Sequence, residues 1–186
     1  MGLHPWKLRE AARHFRQGGL LAYPTEAVFG LGCDPLDPYA VRRILRLKQR
    51  PVEKGLILIA ADFDQLRPFV QTLDDGTMQR VFESWPGPHT WLLPAADGLP
   101  YWLKGEHKTL AVRVTAHPVA AALCRACGSP LVSTSANLAG HPPARTALDV
   151  QRSLGSGIDM LIHSPVGRQT QPSTITDAVT GRTIRS

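Results

Sequence analysis

Long apolar runs are missing from this 186-residue chain, and none approaches the ~18 residues that a membrane-crossing helix needs. A leader is missing as well. Met1-Gly2-Leu3-His4-Pro5-Trp6 has no basic stretch followed by an apolar block and a small-residue cleavage site, so no secretory signal is read there and a cytoplasmic setting is expected. Cysteine is sparse: Cys33, Cys124 and Cys127 form an odd set of three, which fits a reducing compartment and excludes a disulfide scaffold. Cys124-Arg125-Ala126-Cys127 is formally C-x-x-C, but no second pair accompanies it, and a small-residue helix with half-buried thiols is the preferred reading. The seven histidines are scattered and give no zinc spacing. Standard nucleotide signatures are absent too. There is no phosphate-binding G-x-x-x-x-G-K-[ST], and Gly30-Leu31-Gly32 runs on into Cys33-Asp34-Pro35 without the third glycine of a dinucleotide fingerprint, so these glycines are read as a bend or bulge. Neither Ser133 nor Ser135 sits in G-x-S-x-G, which makes a serine hydrolase a poor fit.

What is present is ordinary globular composition, with 43% hydrophobic residues on a chain long enough to bury roughly 70% of its unfolded surface. One domain spanning residues 1–186 is expected, without need of a metal for stability. The pattern alternates helix and strand. Pro5 opens a helix whose apolar face ends at Gly18-Gly19, and Asp37-Pro38 opens a second that is expected to run until Pro51 forbids it. Helices are also read from Asp62, near Asp74, after His117-Pro118 and, with capping-box spacing, from Thr146. Strands are read at Leu20–Tyr23, Leu56–Ala60, Thr90–Leu93, Leu110–Val114, Pro130–Ser133 and Met160–Ile162, with Ser173–Ala178 and Thr183-Ile184 at a sheet edge. Several strand-to-strand connections are too short for helical crossovers, so the expected class is α/β with an open, twisted, mixed sheet flanked by helices.

The charge is uneven. The chain carries +6, and the stretch from Arg42 to Lys54 holds six basic residues and one acid, +5 of that total. A basic excess of this kind points to an anionic partner. Helical phasing turns Arg42, Arg43 and Arg46 outward, where they form either a solvated face or a contact for RNA or nucleotide. Lys48 falls within the apolar stripe of Val41, Ile44 and Leu45, so it points inward and either snorkels or faces an anion pocket, the pocket being the preferred reading. Arg50 precedes a proline and aims separately. A second stretch, Ser133-Thr134-Ser135-Ala136-Asn137, puts hydroxyls and an amide after an apolar strand, where they either hold phosphate oxygens or close a turn.

Taken in order, Tyr23-Pro24-Thr25-Glu26, Lys48-Gln49-Arg50-Pro51, Trp85-Pro86-Gly87-Pro88, Ala111-Val112-Arg113-Val114 and Ser133 to Asn137 resemble the YrdC/TsaC family, the threonylcarbamoyl-AMP synthases. The resemblance spans nearly the whole chain and rests on the K-x-R and S-x-N pair. It implies a basic concave groove on the sheet and a nucleotidyltransferase that makes threonylcarbamoyl-adenylate and pyrophosphate from L-threonine, bicarbonate and ATP. It implies that Lys48, Arg50, Ser135 and Asn137 hold the triphosphate as catalytic residues, that Arg145, Ser173 and Arg185 also touch ATP, and that Thr25, Arg113 and Thr134 line the threonine site. Mg²⁺ is expected with ATP. Threonylcarbamoyl-transferase proteins would receive the product for the tRNA adenosine beside the anticodon, and tRNA itself could enter the basic groove. Pro143 stands where relatives often place a hydroxyl residue, and Lys54-Gly55-Leu56 replaces a common Asn-Pro-Leu; both point to the short bacterial form. The rival reading is a non-catalytic RNA-binding module in tRNA or rRNA maturation, although few aromatics interleave the basic cluster as stacking platforms would require.

Overall fold

Residues 3–185 are described by the structure, a computed structural model. Met1, Gly2 and Ser186, the ends of the expected domain, lie outside them. Along the chain, α1 (Pro5–Arg16) leads into β1 (Leu21–Pro24) and β2 (Phe29–Gly32), then α2 (Pro38–Leu47), β3 (Ile57–Ala60), α3 (Phe63–Leu66), α4 (Asp75–Glu83) and β4 (His89–Pro94). The second half runs α5 (Tyr101–Lys104), β5 (Thr109–Val114), α6 (Pro118–Cys127), β6 (Leu131–Ser135), α7 (Ala147–Leu154), β7 (Met160–Leu161), β8 (Thr174–Asp177) and β9 (Thr183–Arg185).

The described strands form one open sheet in the order β7-β1-β2-β6-β3-β5-β4-β8-β9. Pairs β1/β7, β3/β5 and β4/β8 are parallel and the others antiparallel, so the sheet is mixed, as the short connections require. Its two faces divide the chemistry. Because side chains alternate along a strand, Leu58, Ala60, Leu110, Val112, Val114 and Val132 share one face, which α2, α4 and α7 cover to form the larger core. On the other face, α1 and α6 pack against Leu21, Tyr23, Ile59 and Leu131, using Ala11, Phe15, Val119, Ala120 and Leu123. Those two helices leave part of that face uncovered, and the next residues in register, Ile57, Thr109, Ala111, Arg113, Ser133 and Ser135, line a cavity there. None of the described helices is long and apolar enough to cross a membrane.

Helix ends follow from the sequence with one informative exception. Asp37, Asp62 and Asp74 cap α2, α3 and α4 through their side chains, and Thr146 with Asp149 forms the expected capping box on α7. At their C-termini, α1 and α6 close with paired backbone bonds of the Schellman type around Gly18 and Gly128, both at positive φ. Helix α2 closes in the same way, Gln49 N–H to Arg46 O and Arg50 N–H to Leu45 O, but the residue at positive φ is Gln49, at 45°. The helix therefore stops at Leu47, before Pro51 has any effect, and Lys48 is its C-cap.

Strand β2 departs from the bend expected of Gly30-Leu31-Gly32. These residues are buried strand between β1 and β6, and the glycines serve close approach: a Cβ on Gly32 would lie 2.2 Å from the Val132 carbonyl oxygen, and one on Gly30 would lie 3.0 Å from the Tyr23 ring. The short helix α5 was not foreseen either. At four residues it carries no periodic signal. All three thiols are free, and Cys127 is half-buried as expected, but Cys124 is fully buried where a half-buried thiol was expected, and Cys33 is buried as well.

Candidate active site

The cavity on the uncovered sheet face has a volume of about 470 Å³, within the range of small-ligand sites. Its floor is β3, β5 and β6. Its walls are the β1–β2 turn, the segment from Arg50 to Ile57, α5 with His107, and the C-terminal strands with Gln171 to Ser173. Five Lys and Arg residues line it, Arg50, Lys54, Lys104, Arg113 and Arg185, against one carboxylate, Glu26. Among the described residues, neither Lys54, Lys104 nor Arg185 makes a salt bridge, which leaves the cavity ready for an anion. Only Arg50 and Lys54 come from the basic cluster seen in the sequence. Arg42, Arg43 and Arg46 face outward on α2 as phased, and Arg43 pairs with Asp159 at 2.8 Å.

Of the candidate residues, Thr25, Arg50, Arg113, Thr134 and Ser135 line the cavity, and so do Ser173 and Arg185. Lys48, Asn137 and Arg145 do not. Lys48 is buried, at 8% exposure, as its inward phase requires. It reaches from α2 to the end of β6, where its Nζ donates to Asn137 O at 2.6 Å, Asn137 Oδ1 at 2.8 Å and Ser135 O at 2.8 Å. Burial, and then the charge of Arg50, lowers its pKa to about 8. With three acceptors taken, this ammonium holds the turn after β6 from behind. Ser135, whose Oγ donates to Asn137 Oδ1 at 2.6 Å, is the member of this group that reaches the cavity.

Arg50 has left the helix as expected, but it folds back on its own segment. Its Nε and Nη2 donate to Gly55 O at 3.1 and 2.8 Å, and Nη2 also to Lys54 O at 3.2 Å. That segment is clamped against α5: Leu56 N–H bonds Leu103 O, Glu106 N–H bonds Glu53 O, and Gly55 and Gly105 both have positive φ. A Cβ on Gly105 would lie 2.1 Å from Glu53 O, so the two backbones meet where a side chain cannot fit. The clamp places Lys54 and Lys104 together on the rim. Opposite, Arg185 donates to Ser173 O at 2.9 Å, and the buried Ser173 hydroxyl meets Thr90 at 2.9 Å. Arg145 points elsewhere: its Nη atoms sit 3.4 to 3.5 Å from the Gln169 and Thr170 carbonyls on the exposed surface.

Glu26 escaped the sequence reading of site residues, although it lies in the Tyr23–Glu26 motif; the only signal was an acid within a turn expected to face a basic groove. The β1–β2 turn is closed by Thr25 N–H and Oγ1, both bonded to Val28 O. It presents Glu26 beneath Arg113, where Oε1 accepts from the Thr115 hydroxyl at 2.7 Å and from Ala116 N–H at 2.9 Å. Oε2 lies 3.5 Å from Arg113 Nη2. Burial pushes the Glu26 carboxyl up, but Arg113, the Thr115 hydroxyl and backbone N–H groups outweigh it and hold the group below the usual carboxylate range. Lys54, Lys104 and Glu26 are the charged lining residues that sequence reasoning did not assign to the site.

An open mixed sheet with a cationic cavity on its uncovered face defines an α/β protein that takes anionic ligands against the sheet. The chain belongs to the Sua5–YciO–YrdC family, whose model, described as telomere recombination, matches residues 13–186. A threonylcarbamoyl-AMP synthase of Nitrosococcus oceani is 56% identical over 180 residues, covering 97% of each chain. One of Coxiella burnetii is 45% identical over 178 residues, covering 96% of each. Among solved structures, Pyrococcus abyssi Sua5 complexed with L-threonine matches at a TM-score of 0.90 and 34% identity over 97% of this chain. The chain spans about half of that protein, 53% of its length. Escherichia coli YciO matches at a TM-score of 0.84 and 27% identity, covering 100% of this chain and 96% of YciO.

Proposed function

We infer that this chain is a nucleotidyltransferase that makes threonylcarbamoyl-adenylate and pyrophosphate from L-threonine, bicarbonate and ATP. The observation that carries the reading is identity of 45 to 56% over nearly the full length of relatives named threonylcarbamoyl-AMP synthase. The cationic cavity supports it independently.

The chemistry suits these residues. The amine of threonine and bicarbonate form an N-carboxylate with loss of water. A carbamate oxygen then attacks the α-phosphorus of ATP, the α–β phosphoanhydride bond breaks, and pyrophosphate leaves. Nucleophile, electrophile and leaving group are all anionic, so the protein acts by positioning and charge neutralisation. Arg50 and the Ser135 hydroxyl, on the cavity wall, are proposed to hold the triphosphate, with Lys54 and Lys104 neutralising charge on the departing pyrophosphate. Lys48 and Asn137 keep Ser135 in place. Arg185 and Ser173 are proposed ATP contacts, while Thr25, Arg113 and Thr134 line the threonine end.

The cavity does not fit a resident Mg²⁺. Its one carboxylate, Glu26, is committed to Thr115, Ala116 and Arg113, and no cluster of three His, Cys, Asp or Glu occurs among the described residues. Mg²⁺ is therefore proposed to arrive on the phosphates of ATP, and no step above depends on it. The free thiols and the substrates are consistent with a cytoplasmic role in tRNA modification, with the adenylate passed to threonylcarbamoyl-transferase proteins.

Pyrophosphate release tests the reading. With ATP and bicarbonate present, release that depends on threonine is expected. Absence of that dependence, together with tight and salt-sensitive tRNA binding in the groove, would favour the RNA-binding module.

A further inference from the structure

Strand β4 carries a hydroxyl in a place where valine would pack equally well. Thr90 is fully buried, at 0% exposure, and shares a sheet face with Leu92, which lines the cavity, while Leu93 turns to the larger core. A hydroxyl buried this deeply costs free energy unless it is hydrogen-bonded, a cost that valine avoids. Among the described residues its one partner is Ser173 Oγ, at 2.9 Å, on the neighbouring segment that leads into β8.

Counting valences places the protons. The buried Thr90 hydroxyl requires an acceptor, and Ser173 Oγ is the one within reach, so Thr90 donates. Arg185 Nη2, reaching across from β9, donates to the same oxygen at 3.3 Å. A serine hydroxyl accepts two bonds and gives one. With both acceptor positions filled, the Ser173 proton is the valence that remains, and no described residue accepts it. Ser173 and Ile175, alternate residues on one face of this segment, both line the cavity. Two donors to its oxygen also polarise the Ser173 hydroxyl and strengthen the bond it gives.

We propose that Thr90 is a positioning residue for the reaction: donating to Ser173 Oγ together with Arg185, it turns the Ser173 hydroxyl into a donor for an anionic oxygen bound in the cavity. A phosphate of ATP and the carboxylate of threonine share that chemistry, whereas an ammonium is refused. The assignment rests on the substrate reading above.

The test is calorimetry with ATP and with L-threonine, together with KM, kcat and a thermal melt, on the full chain, Thr90→Val, Thr90→Ser, Ser173→Ala and the Thr90→Val/Ser173→Ala double variant. Ser173→Ala is expected to weaken one ligand about tenfold, as loss of one hydrogen bond to a charged group implies, and the ligand it weakens identifies the acceptor. Thr90→Val should weaken that same ligand about three- to tenfold, with the other ligand and kcat held within about twofold. In the Ser173→Ala background it should change binding by less than about twofold, because the hydroxyl it acts through is gone. Thr90→Ser keeps the hydroxyl and loses a buried methyl, so it should melt lower yet bind that ligand within about twofold of wild type. Should Thr90→Val not fold, Thr90→Ala carries the same expectation for binding. If Ser173→Ala weakens neither ligand, if Thr90→Val leaves binding unchanged, or if binding across the Thr90 variants simply follows the melting temperature, the Thr90 assignment is overturned and the substrate reading stands. If wild-type protein binds neither ATP nor threonine, the substrate reading fails and the assignment falls with it.

Discussion

Replacing Lys48 by methionine keeps most of the side-chain volume and removes one ammonium from three acceptors, each within 2.8 Å of its nitrogen. An acceptor left buried without a donor costs about 1–3 kcal/mol. Against that stands the cost of burying the charge: a pKa lowered from 10.5 to about 8 corresponds to about 3 kcal/mol, which the neutral side chain escapes. With three such acceptors at about 2 kcal/mol each, the balance is a loss of about 3 kcal/mol, or about 6–12 °C in Tm for a domain of this size. Turnover should fall further than stability suggests, by about 10²-fold, because Ser135 is no longer fixed against the cavity. The pH dependence carries its own signature. Since the folded pKa lies below the unfolded one, the folded chain binds fewer protons between pH 8 and 10.5. The burial cost is therefore fully present below pH 8 and is relieved as pH rises, so this residue adds stability across that window. Over the same range the neutral amine has two N–H donors for three acceptors, and turnover should decline with a midpoint near pH 8. Thermal melts and rate profiles of both proteins test this. A Lys48→Met protein melting within about 1 °C of wild type, with turnover within about twofold, would refute the reasoning.

Three further substitutions probe neighbouring features. Gln49→Gly removes a left-handed strain of about 1–2 kcal/mol at the turn joining Lys48 to Arg50, offset by glycine's greater unfolded freedom, so denaturant melts should show a gain of about 0.5–1 kcal/mol. Gly105→Ala drives a methyl to 2.1 Å from Glu53 O at a positive φ, and should destabilise by about 2 kcal/mol or more while raising KM for ATP through displacement of Lys54. Arg145→Ala should leave KM for ATP within about twofold, since its guanidinium lies on the exposed surface away from the cavity lining; a larger rise would restore it as an ATP contact.

The parts of the fold legible in the sequence were those with local causes. Caps and prolines placed α2, α4 and α7, glycines ended α1, and β-period alternation put Arg113 on the face opposite Leu110, Val112 and Val114. What escaped depended on distant contacts. Strand β2 looked like a bend because the need for Gly32 is set by the Val132 carbonyl a hundred residues away in sequence. Phasing turned Lys48 inward correctly, but its acceptors come from the end of β6, and periodicity carries no information about which distant carbonyls an inward lysine meets. Local charge density misled in the same way. Half of the basic cluster faces solvent on α2, while the cavity collects its five cations from four separate segments.

The most direct test of the central claim is mass spectrometric detection of the adenylate formed from ATP, L-threonine and carbon-13 bicarbonate. The account predicts an AMP adduct that carries the label and requires all three substrates. Pyrophosphate or AMP appearing with no labelled, threonine-dependent adduct would contradict it.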